Sequence, residues 1–284
     1  MLCTFKKFIF LFFCIVSLGG CSPLEMLNAT VSDDGYTSVL NRMYGNHPRQ
    51  ELSIHVPTKM KKNADVVVFY YGGRWQYGSK NDYAFVADAL TSKGLITVIA
   101  DYRLYPQVDW REFVQDGASA YQWVTKNIKH YGGNPNRVFV MGHSAGAHIA
   151  AMTAVDESLI NKSTHRPCGL IGLAGPYDFL PIRDEDVIRI FSTALDINNT
   201  QPITFVNLGD PAMLLLHGAD DEAVKPGNST RMAARAKALG VPATASLYKD
   251  TDHIDILISL SSTFRSFSPA LADATAFIAR TACD

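Results

Sequence analysis

Val138-Phe139-Val140-Met141-Gly142-His143-Ser144-Ala145-Gly146 decides the fold. Four consecutive apolar residues read as a strand, G-x-S-x-G follows at once, and residues 145–155 continue as a helix. A serine on so sharp a strand-to-helix turn projects its hydroxyl away from the backbone. The flanking glycines keep side chains out of the neighbouring strand and helix. The pattern is that of a nucleophile elbow.

Outward from the elbow the chain alternates strand and helix patterns. Upstream, residues 52–56 alternate apolar and polar as an edge strand would. Residues 66–71 are a continuous apolar run suited to a strand buried on both faces. The spacing predicts a helix over 82–93, closed by Gly94, a strand over 95–100 and a long helix over 112–130. Downstream, strands are expected at 169–174, 212–217 and 243–248, with helices at 228–239 and 267–280. Residues 176–205 are less regular and suit a cap over the site. Repeated alternation implies an α/β fold: a mostly parallel central sheet with helices on both faces.

The 284 residues are 47% hydrophobic and 19% charged, with a formal net charge of −1. One domain of this class is the expectation, at 51–284, preceded by a tether or N-terminal extension at 21–50. The near-neutral charge argues against a nucleic-acid partner, which would need a basic surface. Lys6 and Lys7 precede an apolar run from 8 to 18 that is short for a membrane span. Leu18-Gly19-Gly20-Cys21 then resembles the lipobox of bacterial lipoproteins, which implies a signal peptide at 1–20 and a lipid anchor at Cys21. Ser22 after it would send a Gram-negative lipoprotein to the outer membrane, facing the periplasm. The alternative is a secretory signal cleaved nearby, giving a secreted or periplasmic protein. Removing residues 1–20 takes two lysines and no acids, moving the charge from −1 to −3. Of five cysteines, Cys168 and Cys283 then remain besides Cys21. An export compartment permits a bridge between them, and two buried free thiols are the other reading.

A hydroxyl is a weak nucleophile at neutral pH, so Ser144 needs a base, and the base needs an orienting carboxylate. Elbow enzymes place the parts in the order Ser, acid, His. His217-Gly218-Ala219-Asp220-Asp221-Glu222-Ala223-Val224 follows a late strand, and Asp250-Thr251-Asp252-His253 follows the last one. His253 is the base candidate. His143 and His148 belong to the elbow and its helix, where packing is the expected role. Asp221 is favoured as the acid, with Asp220 next and Asp178 after an earlier strand. An oxyanion hole needs backbone N–H groups. Ala145 offers one, and the loop Tyr70-Tyr71-Gly72-Gly73-Arg74-Trp75 after an early strand suits the other, because paired glycines let the backbone come close to a substrate. No His/Asp/Glu group has metal spacing and no glycine-rich phosphate loop occurs, so neither metal nor cofactor is expected.

Taken together, YGGRW (71–75), DYRL (101–104), GHSAGAH (142–148), HGADDEAV (217–224) and DH (252–253) resemble the esterase side of the α/β-hydrolase superfamily. The likeness is to bacterial carboxylesterases, feruloyl-esterase-like proteins and kynurenine-formamidase-like enzymes, from about residue 50 to the C-terminus. It implies an α/β-hydrolase fold and hydrolysis of small-molecule carboxylic esters with short acyl groups. It assigns Ser144 as nucleophile, Asp221 as acid, His253 as base, and Gly73, Arg74 and Ala145 as oxyanion donors. The same triad serves an amidase or arylformamidase. A non-catalytic envelope protein on a degenerate hydrolase fold is the reading from another class. Tyr71 departs from the pattern, which carries histidine there, so the loop must be braced differently. Arg74 places a cation near the site, either for an acidic or polar substrate or in a salt bridge.

Overall fold

The computed structural model describes residues 27, 28, 31 and 34–283. The signal segment 1–20 and Cys21 lie outside the described residues. Eight strands form one sheet: β1 (Tyr36–Met43), β2 (Glu51–Pro57), β3 (Ala64–Tyr70), β4 (Ile96–Ala100), β5 (Gly133–His143), β6 (Gly169–Leu173), β7 (Ala212–Gly218) and β8 (Ala243–Tyr248). Their order is β1-β2-β4-β3-β5-β6-β7-β8. β1 and β2 run antiparallel at one end, and the strands from β4 to β8 are parallel. The principal helices are α1 (Ala84–Thr91), α2 (Trp110–Asn127), α3 (Ala145–Val155), α4 (Glu185–Ile190), α5 (Pro202–Phe205), α6 (Gly227–Ala238), α7 (Asp255–Ile258) and α8 (Ala270–Arg280).

The sheet is covered on both faces, as an apolar parallel sheet must be. Val66 to Tyr70 are fully buried whichever way they point. Tyr70 reaches α2, donating its O–H to Gly117 O at 2.8 Å. Val67 is in register with Phe139, which faces the opposite side and meets Phe277 of α8 at 6.3 Å between ring centroids. α2 starts where a capping box allows it: Asp109 accepts from Arg111 N–H, and Glu112 accepts from Asp109 N–H.

Two expectations need correction. Residues 52–56 are not an edge strand, and 21–50 is not all tether. β1 pairs outside β2 and forms the sheet's edge. The polar alternation in β2 is real, but β1 covers it: Ser53 and His55 are buried, and His55 Nδ1 lies 2.8 Å from Ser38 Oγ.

Cys168, just before β6, and Cys283, after α8, form a disulfide. Arg137 of β5 also holds this end, donating to Ile278 O and Thr281 O at the C-terminus of α8.

The chain leaves β3 for β4 on one side and returns to β5 on the other. That reversal is a topological switch point, where loops at the carboxyl ends of two adjacent strands diverge and open a crevice. The loop after β3 carries Gly72 to Trp75, and the loop after β5 is the elbow.

Candidate active site

Ser144 sits at φ 53° and ψ −123°, a strained conformation for a residue with a side chain. The surroundings enforce it. Its N–H donates to Leu173 O of β6 at 2.9 Å, and its carbonyl accepts from Ala147 and His148 as α3 begins. Gly142 and Gly146 are sterically required. A Cβ on Gly146 would lie 2.1 Å from Tyr70 O, and one on Gly142 would lie 2.3 Å from Gly146 O.

The structure brings Ser144, His253 and Asp221 together. His253 Nε2 is 2.9 Å from Ser144 Oγ, and His253 Nδ1 is 2.7 Å from Asp221 Oδ2. A carboxylate only accepts, so the proton sits on Nδ1 and the bare Nε2 accepts from the serine hydroxyl. Asp221 is buried while the His253 side chain is 15% exposed, so the imidazole meets the solvent side of the crevice. Burial by itself would raise the Asp221 pKa. Hydrogen bonds from His217 and His253 outweigh it and hold the carboxyl well below the usual range.

The other acid candidates fall elsewhere. Asp220 is exposed, and its N–H donates to Thr251 O at 3.1 Å. Asp178 pairs with Arg231.

Gly73, at φ 126°, turns the loop after β3 back over the elbow. A Cβ on Gly72 would stand 3.1 Å from Ser144 Cβ, which measures how closely this loop approaches the serine. Among the described residues, no hydrogen bond engages the N–H of Gly73, Arg74 or Ala145. These three donors are free for an oxyanion.

Tyr71 braces the loop in a way the sequence does not reveal. Its ring is stacked between Tyr83 and Tyr102, with centroids at 5.3 and 4.8 Å. Its hydroxyl donates to Asp101 Oδ1 at 2.7 Å and accepts from Arg49 Nη2 at 2.6 Å. Arg49 also donates to Gly78 O and Tyr102 O, and Tyr102 donates its O–H to Tyr71 O at 2.8 Å. The loop is therefore tied at both ends, Tyr71 and Gly78.

The Arg74 guanidinium is half exposed and reaches Asp184 at 2.7 Å and Asp186 at 3.7 Å. Of the two roles weighed for it, the structure displays the salt bridge. The pair links the loop after β3 to the segment 176–205. Phe191 and Trp75 make a second link at 5.0 Å between centroids, and His148 Nε2 of α3 ties the elbow helix to the same segment through Thr200 O at 2.8 Å.

His143 packs beside the base, as expected of it, and also does more. Its Nε2 donates to His253 O at 2.9 Å and so holds the backbone of the base. Burial, then the neighbouring His253, pulls its pKa down to about 3, so it stays neutral. Its position immediately before Ser144 was the available signal. Arg49 had none, because it lies in the stretch that reads as a tether. Among the described residues no group of three His, Cys, Asp or Glu could hold a metal ion.

The BD-FAE family profile matches residues 52–236. A probable isoprenylcysteine alpha-carbonyl methylesterase of Arabidopsis thaliana is 29% identical over 242 residues, covering 76% of this chain and 51% of that protein. A kynurenine formamidase of Salmo salar is 31% identical over 145 residues, covering 51% of this chain and 48% of that one. The chain thus spans about half the length of these curated relatives. A truncated form of carbohydrate esterase from gut microbiota superposes with a TM-score of 0.74 at 21% identity, covering 87% of this chain and 97% of that one. With the profile matching well over half of its length, this chain belongs to the BD-FAE family and has the α/β-hydrolase fold.

Proposed function

We propose that the protein is a carboxylesterase-type serine hydrolase acting on small-molecule carboxylic esters. The observation that carries this reading is the unbroken relay Ser144–His253–Asp221 at 2.9 and 2.7 Å beside three unengaged backbone N–H groups. Ser144 Oγ attacks the acyl carbonyl while His253 Nε2 takes its proton. Asp221 keeps the other proton on Nδ1 and stabilises the imidazolium. The carbonyl oxygen becomes an oxyanion facing the N–H groups of Gly73, Arg74 and Ala145. Collapse expels the alcohol, which receives the proton from His253. Water, deprotonated by His253, then releases the acid. The segment 176–205 carries only short helical pieces, which supports short acyl groups. The test is hydrolysis of p-nitrophenyl acetate through laurate by the full-length protein, with Ser144→Ala alongside. Activity confined to the longest chains would reject the short-acyl assignment, and activity surviving in Ser144→Ala would reject the mechanism.

The kynurenine formamidase likeness favours one second reading, an arylformamidase with the same triad. Faster turnover of an N-formyl anilide than of phenyl acetate would select it. We also propose that Cys21 carries a lipid anchor facing the periplasm, on the strength of Leu18-Gly19-Gly20-Cys21 after an apolar run. Labelling with a palmitate analogue, lost in Cys21→Ser, tests this.

A further inference from the structure

One buried group touches the relay without serving it: His217, at the carboxyl end of β7, whose side chain has no exposed surface. We infer that His217 is a positioning residue that sets a second imidazole N–H against Asp221, with Ser229 satisfying the ring's other nitrogen. The inference rests on the ester-hydrolysis reading above.

His217 Nε2 lies 2.8 Å from Val224 O and 3.1 Å from Asp221 Oδ2. A carbonyl and a carboxylate both only accept, so the proton is on Nε2. Nδ1 is then a bare lone pair, and Ser229 Oγ, fully buried on α6, stands 2.8 Å from it. Ser229 donates to Nδ1. A proton on Nδ1 would leave two buried acceptors facing a lone pair, so those acceptors select the tautomer and the Ser229 hydroxyl matches it by donating to Nδ1. Asp221 consequently has two hydrogen-bond donors, and the His217 Nε2–H, which bonds Val224 O, stands beside it as a third polar neighbour. Oδ2 is shared by His253 Nδ1 at 2.7 Å and His217 Nε2 at 3.1 Å, and Oδ1 takes Val224 N–H at 2.9 Å.

This arrangement has two consequences. Groups against both oxygens of the carboxylate hold its plane toward His253. The His217 donor also draws negative charge from the oxygen that faces the base, so it moderates how strongly Asp221 favours the imidazolium. No proton leaves His217 in the cycle.

Other charged and titratable groups surround the pair. His143 of β5 packs tilted against His253, at 4.7 Å between centroids. Asp252 and Asp255 flank His253 on its own segment. Asp220, Glu222 and Lys225 lie on the loop after β7, and the Asp178–Arg231 pair joins α6 to the segment after β6. Changing His217 leaves all of them in place.

The experiment measures kcat and KM against pH for the full-length wild type, His217→Phe, His217→Gln and Ser229→Ala on p-nitrophenyl acetate, with thermal melts. His217→Phe should lose about ten- to a hundredfold in kcat. KM should change little. The acid limb of the kcat profile should move to higher pH by about half a unit to one unit, as the carboxylate concentrates its charge on His253. His217→Gln, whose amide still donates, should restore most of the rate and the wild-type limb. Ser229→Ala should fall between.

A loss of equal size in Phe and Gln variants with an unmoved acid limb would make His217 a purely structural residue and overturn the inference. If His217→Phe does not fold, nitrogen-15 histidine spectra of the wild type decide. His217 must show a protonated Nε2 and an unprotonated Nδ1, and the opposite tautomer overturns the inference. Ser144→Ala separates the two readings. Activity that survives in it sinks the serine mechanism, whereas a serine-dependent rate indifferent to His217 sinks only the positioning role.

Discussion

Tyr71→Phe removes one oxygen atom from the brace under the oxyanion loop and leaves the ring stack in place. Asp101 then loses the shorter of the two hydrogen bonds on Oδ1, keeping Lys80 N–H at 2.8 Å. Arg49 Nη2 keeps Gly78 O at 2.8 Å but loses its 2.6 Å acceptor. Both losses fall on charged groups, and the carboxylate is buried, with 7% of its side chain exposed. A hydrogen bond to such a group contributes about 1.5–3 kcal/mol. At about 2–4 °C per kcal/mol for a domain of this size, the melting temperature should fall by roughly 3–12 °C. The loop then flexes about Tyr71, and the Gly73 and Arg74 N–H groups point less steadily at the oxyanion. Losing a whole donor costs about a hundred- to a thousandfold in kcat, so loosening two should cost about tenfold. Thermal melts and initial rates on p-nitrophenyl acetate measure both effects. Tyr71→His is the informative companion: the shorter ring cannot reach Asp101, and the stack with Tyr83 and Tyr102 is broken, so it should be the less stable variant. A Tyr71→Phe protein matching wild type in both melting temperature and kcat would refute the bracing argument.

Acid should destabilise the fold through buried histidines. Burial pulls His55 and His148 down to about 4, and burial with the nearby His253 pulls His143 to about 3. Their folded values lie below the unfolded value of about 6.5, so the unfolded chain binds more protons in between. The stability is complete above about pH 6.5 and is lost as pH falls toward 3–4, by about 1.4 kcal/mol per unit for each histidine. A melting temperature flat from pH 7 to pH 5 would contradict this. Arg74→Ala removes an exposed salt bridge and keeps the backbone N–H. Stability should change by less than about 1 kcal/mol and kcat by less than about threefold; a hundredfold loss would mean that the guanidinium itself meets the reacting atoms. Cys283→Ser opens a bridge that spans 115 residues and should lower stability by about 2–4 kcal/mol in chemical denaturation. Wild type treated with reductant should match it, and a reductant-insensitive wild type would argue against the bridge.

What the sequence reveals depends on whether a residue's role is local. Ser144 is legible because strand, glycines and helix are contiguous, and the strained φ is a property of that turn alone. His253 is legible because it follows the last strand. Asp221 is favoured over Asp220 from its place in the loop alone, and burial supplies the physical difference: Asp221 turns inward while Asp220 is exposed. β1 was missed for a physical reason. Tyr36 to Met43 forms a sheet edge whose residues are mostly exposed, so it carries no apolar run or clean alternation. Its role shows only once β2 is known to need a partner. Arg49 was lost with it, and with Arg49 the answer to how a tyrosine serves at 71.

That answer is chemical as well as spatial. A buried phenol at neutral pH has one proton to give and lone pairs to receive, and burial pushes the Tyr71 pKa well above its ordinary value. It therefore donates to Asp101 and accepts from Arg49 without itself adding a charge beneath the oxyanion loop. A histidine there offers one donor and one acceptor from opposite ring edges, and protonation would place a cation in the same layer. Tyrosine also fills the space between Tyr83 and Tyr102, so the loop rests on a three-ring stack. The departure at 71 is thus matched by Arg49 and by two tyrosines. Replacing any one of them alone should weaken the loop, whereas Arg49→Ala combined with Tyr71→Phe should cost less than the two separate losses added together, because both remove the same bond.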